Sequence, residues 1–179
     1  GFVEVCETLV GEAGIAVPAR SAEADARVRR IEGMRPTLEE AARLFAERLA
    51  RTPAPAAWVH ARGLDAATIA EFGLGWAPED GGLAGQGFNR RDLMAVGLVG
   101  RSDPTPGREP FYYPRFRSRI MVPIHDARGR IVGFGGRSGP GAREGAAKYV
   151  NSVDSEIFDK GGLLFNLHRA RERLRTGKP

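Results

Sequence analysis

The sequence predicts a mixed α/β fold: a small, antiparallel-containing sheet with flanking helices. Three observations carry this reading. Two apolar runs, Ile120 to Ile124 and Arg130 to Phe134, are separated by the turn Asp126 to Gly129, which is a hairpin pattern. Apolar residues recur at helical spacing at Ala41, Leu44, Phe45 and Leu49, and again at Leu164, Leu167, Ala170 and Leu174. The chain of 179 residues is 42% hydrophobic with 24 glycines and 12 prolines, which suits one compact, loop-rich core plus an appendage.

In chain order, residues 1–15 are expected to be helical, with Phe2, Val5, Cys6, Leu9 and Val10 on the apolar side, ending near Pro18. Residues 19–35 are charged and lack an apolar stripe, so they read as a linker in preference to a solvated helix. Thr37 and Glu40 form a capping box that opens a helix. Pro53 and Pro55 break it, and a short helix carrying Trp58 and Val59 ends at Gly63. Asp65 caps a third helix through Thr68, stopped by Gly73 with Ile69 and Phe72 buried, and Asn89 caps a fourth that Gly97 ends. Leu74 to Pro78 and Ala147 to Val150 are extended, residues 79–88, 101–110 and 138–147 are loops, and Leu163 to Arg175 is a last helix.

Composition bounds the function. Net charge is +5, from 27 basic and 22 acidic residues, and 24 of the basic residues are arginine. Either a GC-rich genome or a phosphate-binding surface accounts for that bias, since arginine forks onto phosphate. Of the three lysines, Lys148 and Lys160 fall in one stretch with the hairpin. The lone Cys6 excludes disulfides and cysteine zinc sites within this chain and suits a cytoplasmic setting. His60, His125 and His168 lack metal-ligand spacing and read as structural. No apolar run approaches the about 20 residues of a membrane helix. The chain opens on Gly1 with no basic and apolar leader, so it is expected to be a piece of a longer protein without a signal peptide.

The chemistry concentrates between Arg115 and Lys160. Arg115, Arg117 and Arg119 alternate, which on a strand leading into the hairpin puts all three on one face. Such a face is either a charged edge that resists aggregation or a seat for an anion. Gly133-Phe134-Gly135-Gly136-Arg137 ends the return strand with glycines, either a tight turn or a backbone nest for an anion. It is not a Walker loop, lacking Gly-Lys-Ser/Thr, and no close acidic pair marks a two-metal site. Together these features frame an expected phosphate-binding groove.

Several long motifs at compatible spacing resemble bacterial DnaG-type DNA primases. They are Arg-Phe-Arg-x-Arg-Ile-Met-x-Pro-Ile (115–124), Gly-Arg-Ile-Val-Gly-Phe-Gly-Gly-Arg (129–137), Lys-Tyr-x-Asn-Ser (148–152) and Ile-Phe-x-Lys-Gly (157–161). Arg62-Gly63-Leu64, residues 69–78 and residues 93–98 match as well. The resemblance implies the amino-terminal subdomain of the RNA polymerase catalytic core at 36–179, a small sheet flanked by helices, behind a linker at 19–35. Residues 1–18 resemble the end of the amino-terminal zinc-binding module. Zn would belong to that module, and Mg or Mn to a Toprim domain following this chain, with neither bound by this chain alone.

By the same resemblance, Arg62, Arg115, Arg117 and Arg137 match residues that hold single-stranded template or incoming nucleotide. Lys148 and Lys160 match lysines that meet nucleotide phosphates, and Asn151 matches an asparagine of the same motif. The implied activity is synthesis of short RNA primers on single-stranded DNA from ribonucleoside triphosphates, at the replisome beside a replicative helicase. This chain would supply the basic groove and no catalytic residue. Val122 stands where the family commonly has Phe, Val153 where it often has Pro, and loop 138–147 is long; these departures leave the basic set intact. The corresponding part of a phage or plasmid primase–helicase, and a stand-alone single-stranded nucleic-acid-binding module, are the alternatives.

Overall fold

The structure is a computed structural model and describes residues 5, 9, 10 and 21–177. The chain divides into two compact units, 1–32 and 33–179. In the first, Val5, Leu9 and Val10 have helical backbone, with Val5 and Leu9 exposed, and Phe2 and Cys6 lie outside the described residues. Ser21 opens the next helix, its Oγ accepting the Ala24 N–H at 3.1 Å.

That helix, α1 (Ala22–Arg51), is continuous for 30 residues. The reading of 19–35 as a non-helical linker is therefore wrong from Ala22 onward, and Thr37 lies within the helix instead of capping it. Residues 22–32 are rich in Ala, Arg and Glu, strong helix formers, and Glu23 and Asp25 sit favourably in the first turn. Elongating a helix already anchored by packing needs no apolar stripe of its own, because the costly nucleus is formed elsewhere. Pro36 stands inside the helix and lacks an N–H, a cost of about 3 kcal/mol. Burial of Leu38, Ala41, Phe45 and Leu49 in the following turns offsets it.

In the second unit, α2 (Pro53–His60) begins with proline at its first position, where a missing N–H costs nothing. The chain then turns at Gly63 (φ 80°) into α3 (Ala66–Glu71). Asp65 caps α3 by accepting the Thr68 N–H at 2.7 Å, a bond that holds its carboxyl below the ordinary value. Asn89 caps α4 (Arg90–Ala95) through the Arg91 N–H at 2.8 Å. Ile69 and Phe72 are half-buried.

The main sheet has the order β1 (Gly75–Ala77), β4 (Arg119–His125), β5 (Ile131–Ser138), β6 (Tyr149–Asn151), and every pairing is antiparallel. The β4–β5 hairpin is the one expected. Asp126 ties its turn by accepting the N–H groups of Arg128 and Arg130 and the Arg130 Nε–H at 2.9–3.0 Å. A second, two-stranded sheet pairs β2 (Val99–Arg101) with β3 (Tyr112–Pro114). This hairpin was not foreseen: its strands are three residues long and the connection is full of Gly and Pro, so no period-2 pattern develops.

The two faces of the main sheet are covered differently. Trp76, Ile120 and Val122 share one face by register and pack with Leu49, Val59, Leu74 and the half-buried Trp58, Leu64, Ile69 and Phe72. On the other face Phe134 meets Phe45 of α1 edge-on, ring centroids 5.7 Å apart. The closing helix, α5 (Leu167–Thr176), starts four residues later than expected because Asn166 adopts a left-handed conformation (φ 64°). Leu164 is consequently in the preceding turn and exposed. No described helix is long and apolar enough to cross a membrane.

Candidate nucleic-acid interface

Strand register places Arg137 of β5 opposite Ile120 on one side and Tyr149 of β6 on the other. Arg137 and Tyr149 therefore project from the same face as neighbours. The Arg137 guanidinium carbon lies 5.7 Å from the Tyr149 ring centroid and 5.3 Å from that of Trp58 on α2. Arg62, on the turn after α2, lies 3.2 Å from the same Trp58 ring and donates from one guanidinium nitrogen to the Trp58 carbonyl at 2.9 Å. The Lys148 ammonium approaches the Tyr149 ring at 5.7 Å. Three cations from three parts of the chain thus surround two aromatic rings, and Tyr149 is 61% exposed.

Asn151 continues this face, two residues along β6 and opposite Gly135. A Cβ at Gly135 would come within 3.2 Å of the Asn151 Oδ1, so the glycine leaves the amide its room. Lys160 stands on a different segment, the turn after β6, where its backbone N–H donates to Asp154 Oδ1 at 2.8 Å. Phe158, two residues earlier, is buried beside Gly133.

Arg115 and Arg117 belong to a second basic centre, and the expected alternation through 115–119 does not hold. Residues 115–118 form a bend, with Ser118 at φ 48° and the Arg117 Nε–H donating to the Pro114 carbonyl at 3.2 Å. Only Arg119 is in the strand, and it is a structural residue. It is 7% exposed, and its guanidinium donates to the carbonyls of Gly136 (3.3 Å) and Ala147 (2.9 Å). Burial lowers its pKa from the ordinary guanidinium value. Its register, one residue from Ile120, turns it to the face away from Arg137.

Arg115, Arg117, Arg119 and Arg143 line a cavity of about 240 Å³ together with Glu79. Glu79 accepts from the Ser118 hydroxyl at 3.0 Å and pairs with Arg143 at 3.1 Å across the mouth. One carboxylate among four guanidinium groups leaves a strong positive excess, which an anion would relieve. The larger cavity, about 310 Å³, lies elsewhere, between the glycine-rich loop and β2–β3, with apolar walls that include Phe45, Phe88, Leu93 and Phe116. Its volume exceeds that of the arginine cavity, but its chemistry does not suit a polyanion.

Two partners in the first centre escaped the sequence reading as site residues: Trp58 and Tyr149. The signal for Trp58 was present, because it precedes Arg62 by four residues and that spacing shares one helix face. Arg143 and Glu79 sit in loops and carried no such signal. Among the described residues, no group of three or more His, Cys, Asp or Glu side chains could hold a metal ion. His60 shares a hydrogen bond with the Leu64 carbonyl, and the His125 and His168 rings pack 4.8 Å apart.

Residues 44–171 match the model of the family described as DNA primase catalytic core, N-terminal domain. This chain belongs to that family. A DNA primase of Helicobacter pylori is 37% identical over 139 residues, covering 76% of this chain and 24% of the relative. A crystal structure of a DNA primase domain from Pseudomonas aeruginosa superposes with a TM-score of 0.68 at 36% identity, over 79% of this chain and 44% of that one. A DnaG primase catalytic domain bound to single-stranded DNA gives the same TM-score at 32% identity, over 86% and 46%. The chain spans about a quarter of the length of the curated relatives it matches.

Proposed function

We propose that this chain is the template- and nucleotide-holding part of a DNA primase, a nucleotidyltransferase that lays short RNA primers on single-stranded DNA. What carries the reading is the convergence of Arg62, Arg137 and Lys148 on the rings of Trp58 and Tyr149. Cations meet backbone phosphates, and an exposed ring stacks with an unpaired base whatever its identity. A paired base offers no such free face. Asn151 beside Tyr149 adds an amide able to donate and accept. The arginine cavity of Arg115 and Arg117 is the second phosphate seat, and Lys160 extends the basic surface from the neighbouring turn.

Primer synthesis is in-line phosphoryl transfer, and metal ions supply charge neutralisation there. The described residues offer no carboxylate set for them, so in this proposal those ions, and the zinc of a zinc-binding module, are held by parts of the whole protein outside this chain. Ribonucleoside triphosphates as substrates, a helicase partner and a replisome location belong to that whole protein. The chain's own residues bind and orient the strand.

The test is single-stranded DNA binding by fluorescence anisotropy at low and raised salt. Wild type binds, and affinity falls with salt at a slope of about 0.7 per phosphate neutralised on single strands. The double variant Arg117→Ala/Arg137→Ala binds more weakly and with a shallower slope. Binding equal to wild type at low salt would remove both basic centres from the interface.

A further inference from the structure

We propose that Trp58 is a positioning residue of this interface: its indole holds the guanidinium groups of Arg62 and Arg137 as a pair, so that both forks meet one strand. The inference rests on the function proposed above and goes beyond it, since Trp58 bears no charge and falls outside the basic set. The two arginines come from separate elements, the turn after α2 and strand β5, and both lie over the same ring, at 3.2 and 5.3 Å. No ion pair to an acidic partner is seen for either among the described residues. Without the ring, two like charges on a partly exposed surface would splay apart.

Trp58 is half-buried and anchored on one side. It packs against the cluster of Leu49, Val59, Leu74, Trp76 and Ile120, and Arg62 donates to its carbonyl, which fixes the turn. A rigid indole with one edge in the core and its π-surface toward two guanidinium groups presents them already oriented. Binding then orders fewer side chains, and each long arginine otherwise loses rotamer freedom on meeting a phosphate. On the far side of Arg137 the Tyr149 ring is open. The order ring, cation, ring suits one phosphate flanked by an unpaired base.

Trp58→Leu keeps an apolar side chain against the core and removes the π-face, whereas Trp58→Phe keeps both. Binding of labelled oligo(dT) to the full chain would be measured at several salt concentrations, with thermal melts to confirm folding. Trp58→Leu is expected to bind roughly fivefold or more weakly, with a shallower salt slope, and Trp58→Phe to stay within about twofold of wild type. In the Arg62→Ala/Arg137→Ala background, Trp58→Leu should have no further effect, because its role passes through those two groups.

Unchanged affinity and slope in folded Trp58→Leu would overturn the inference and leave the parent reading standing. An equal loss in Trp58→Phe, or a further loss in the doubly substituted background, would also overturn it, by showing shape or direct stacking at work. Absence of wild-type binding would sink the parent reading and this inference with it.

Discussion

Gly75 on β1 has no room for a side chain. A Cβ there would lie 2.5 Å from the Phe45 Cβ and 2.7 Å from the Phe45 carbonyl carbon, so α1 backbone occupies the space. Backbone of a packed helix cannot swing aside as a flexible side chain can. Gly75→Ala should therefore destabilise the chain by about 1–3 kcal/mol, the usual range for overpacking, read from denaturant melts of the two proteins. A melt coinciding with wild type would show that α1 does not press on β1. The arginines also divide at this scale. Arg119 is buried and donates from one guanidinium nitrogen to two backbone carbonyls, whereas Arg62 and Arg137 both lie over the Trp58 ring. Sequence alternation made Arg115, Arg117 and Arg119 look equivalent. The bend at 115–118, with a left-handed Ser118, keeps Arg115 and Arg117 out of the strand that holds Arg119, although all three line one cavity.

Among elements, α5 is seated on the β4 strand by His168 against His125 and on α3 by Arg169, which donates to the Glu71 carboxylate and carbonyl. Burial lowers the His125 pKa below its ordinary 6.5, and the neighbouring His168 and Arg169 lower it further, with Asp126 opposing. Unfolded, the ring titrates near 6.5. Above that value both states hold it neutral and it adds no pH slope. As pH falls through 6.5 the unfolded chain takes up the proton first, so stability declines until the folded ring protonates too. Thermal melts between pH 7.5 and 5 should show that decline, reduced in His125→Gln. An equal decline in the variant would assign it to other groups. The Asp126-capped hairpin beside it was legible beforehand, because its turn chemistry is local. The helicity of residues 22–35 was not, because it depends on what anchors the rest of α1.

For the whole molecule, Arg62, Arg137 and Lys148 gather around two rings, Arg115 and Arg117 line a separate cavity, and Lys160 stands on a further turn, so the basic residues expected in one groove do not form a single cluster. Neither centre has metal-holding carboxylates among the described residues. The purified chain is accordingly expected to form no dinucleotide from ribonucleoside triphosphates on a template with Mg or Mn. Metal-dependent product from this chain alone would overturn the proposed division of labour.

By itself the sequence determined the hairpin and the caps at Asp65 and Asn89, through motifs whose spacing is local or carried along one strand, and it supplied the candidate cations. The family, too, was legible there, in the order of the motifs from Arg62 to Lys160. Only the tertiary structure decided which cations meet. Arg62 and Arg137 are 75 positions apart in sequence and share one indole. Arg117 and Arg137, closer in sequence, belong to different centres. The physical reasons are the bend at 115–118, which keeps Arg117 out of the strand, and the packing of α2 against the sheet, which brings Trp58 to the face that register gives Arg137.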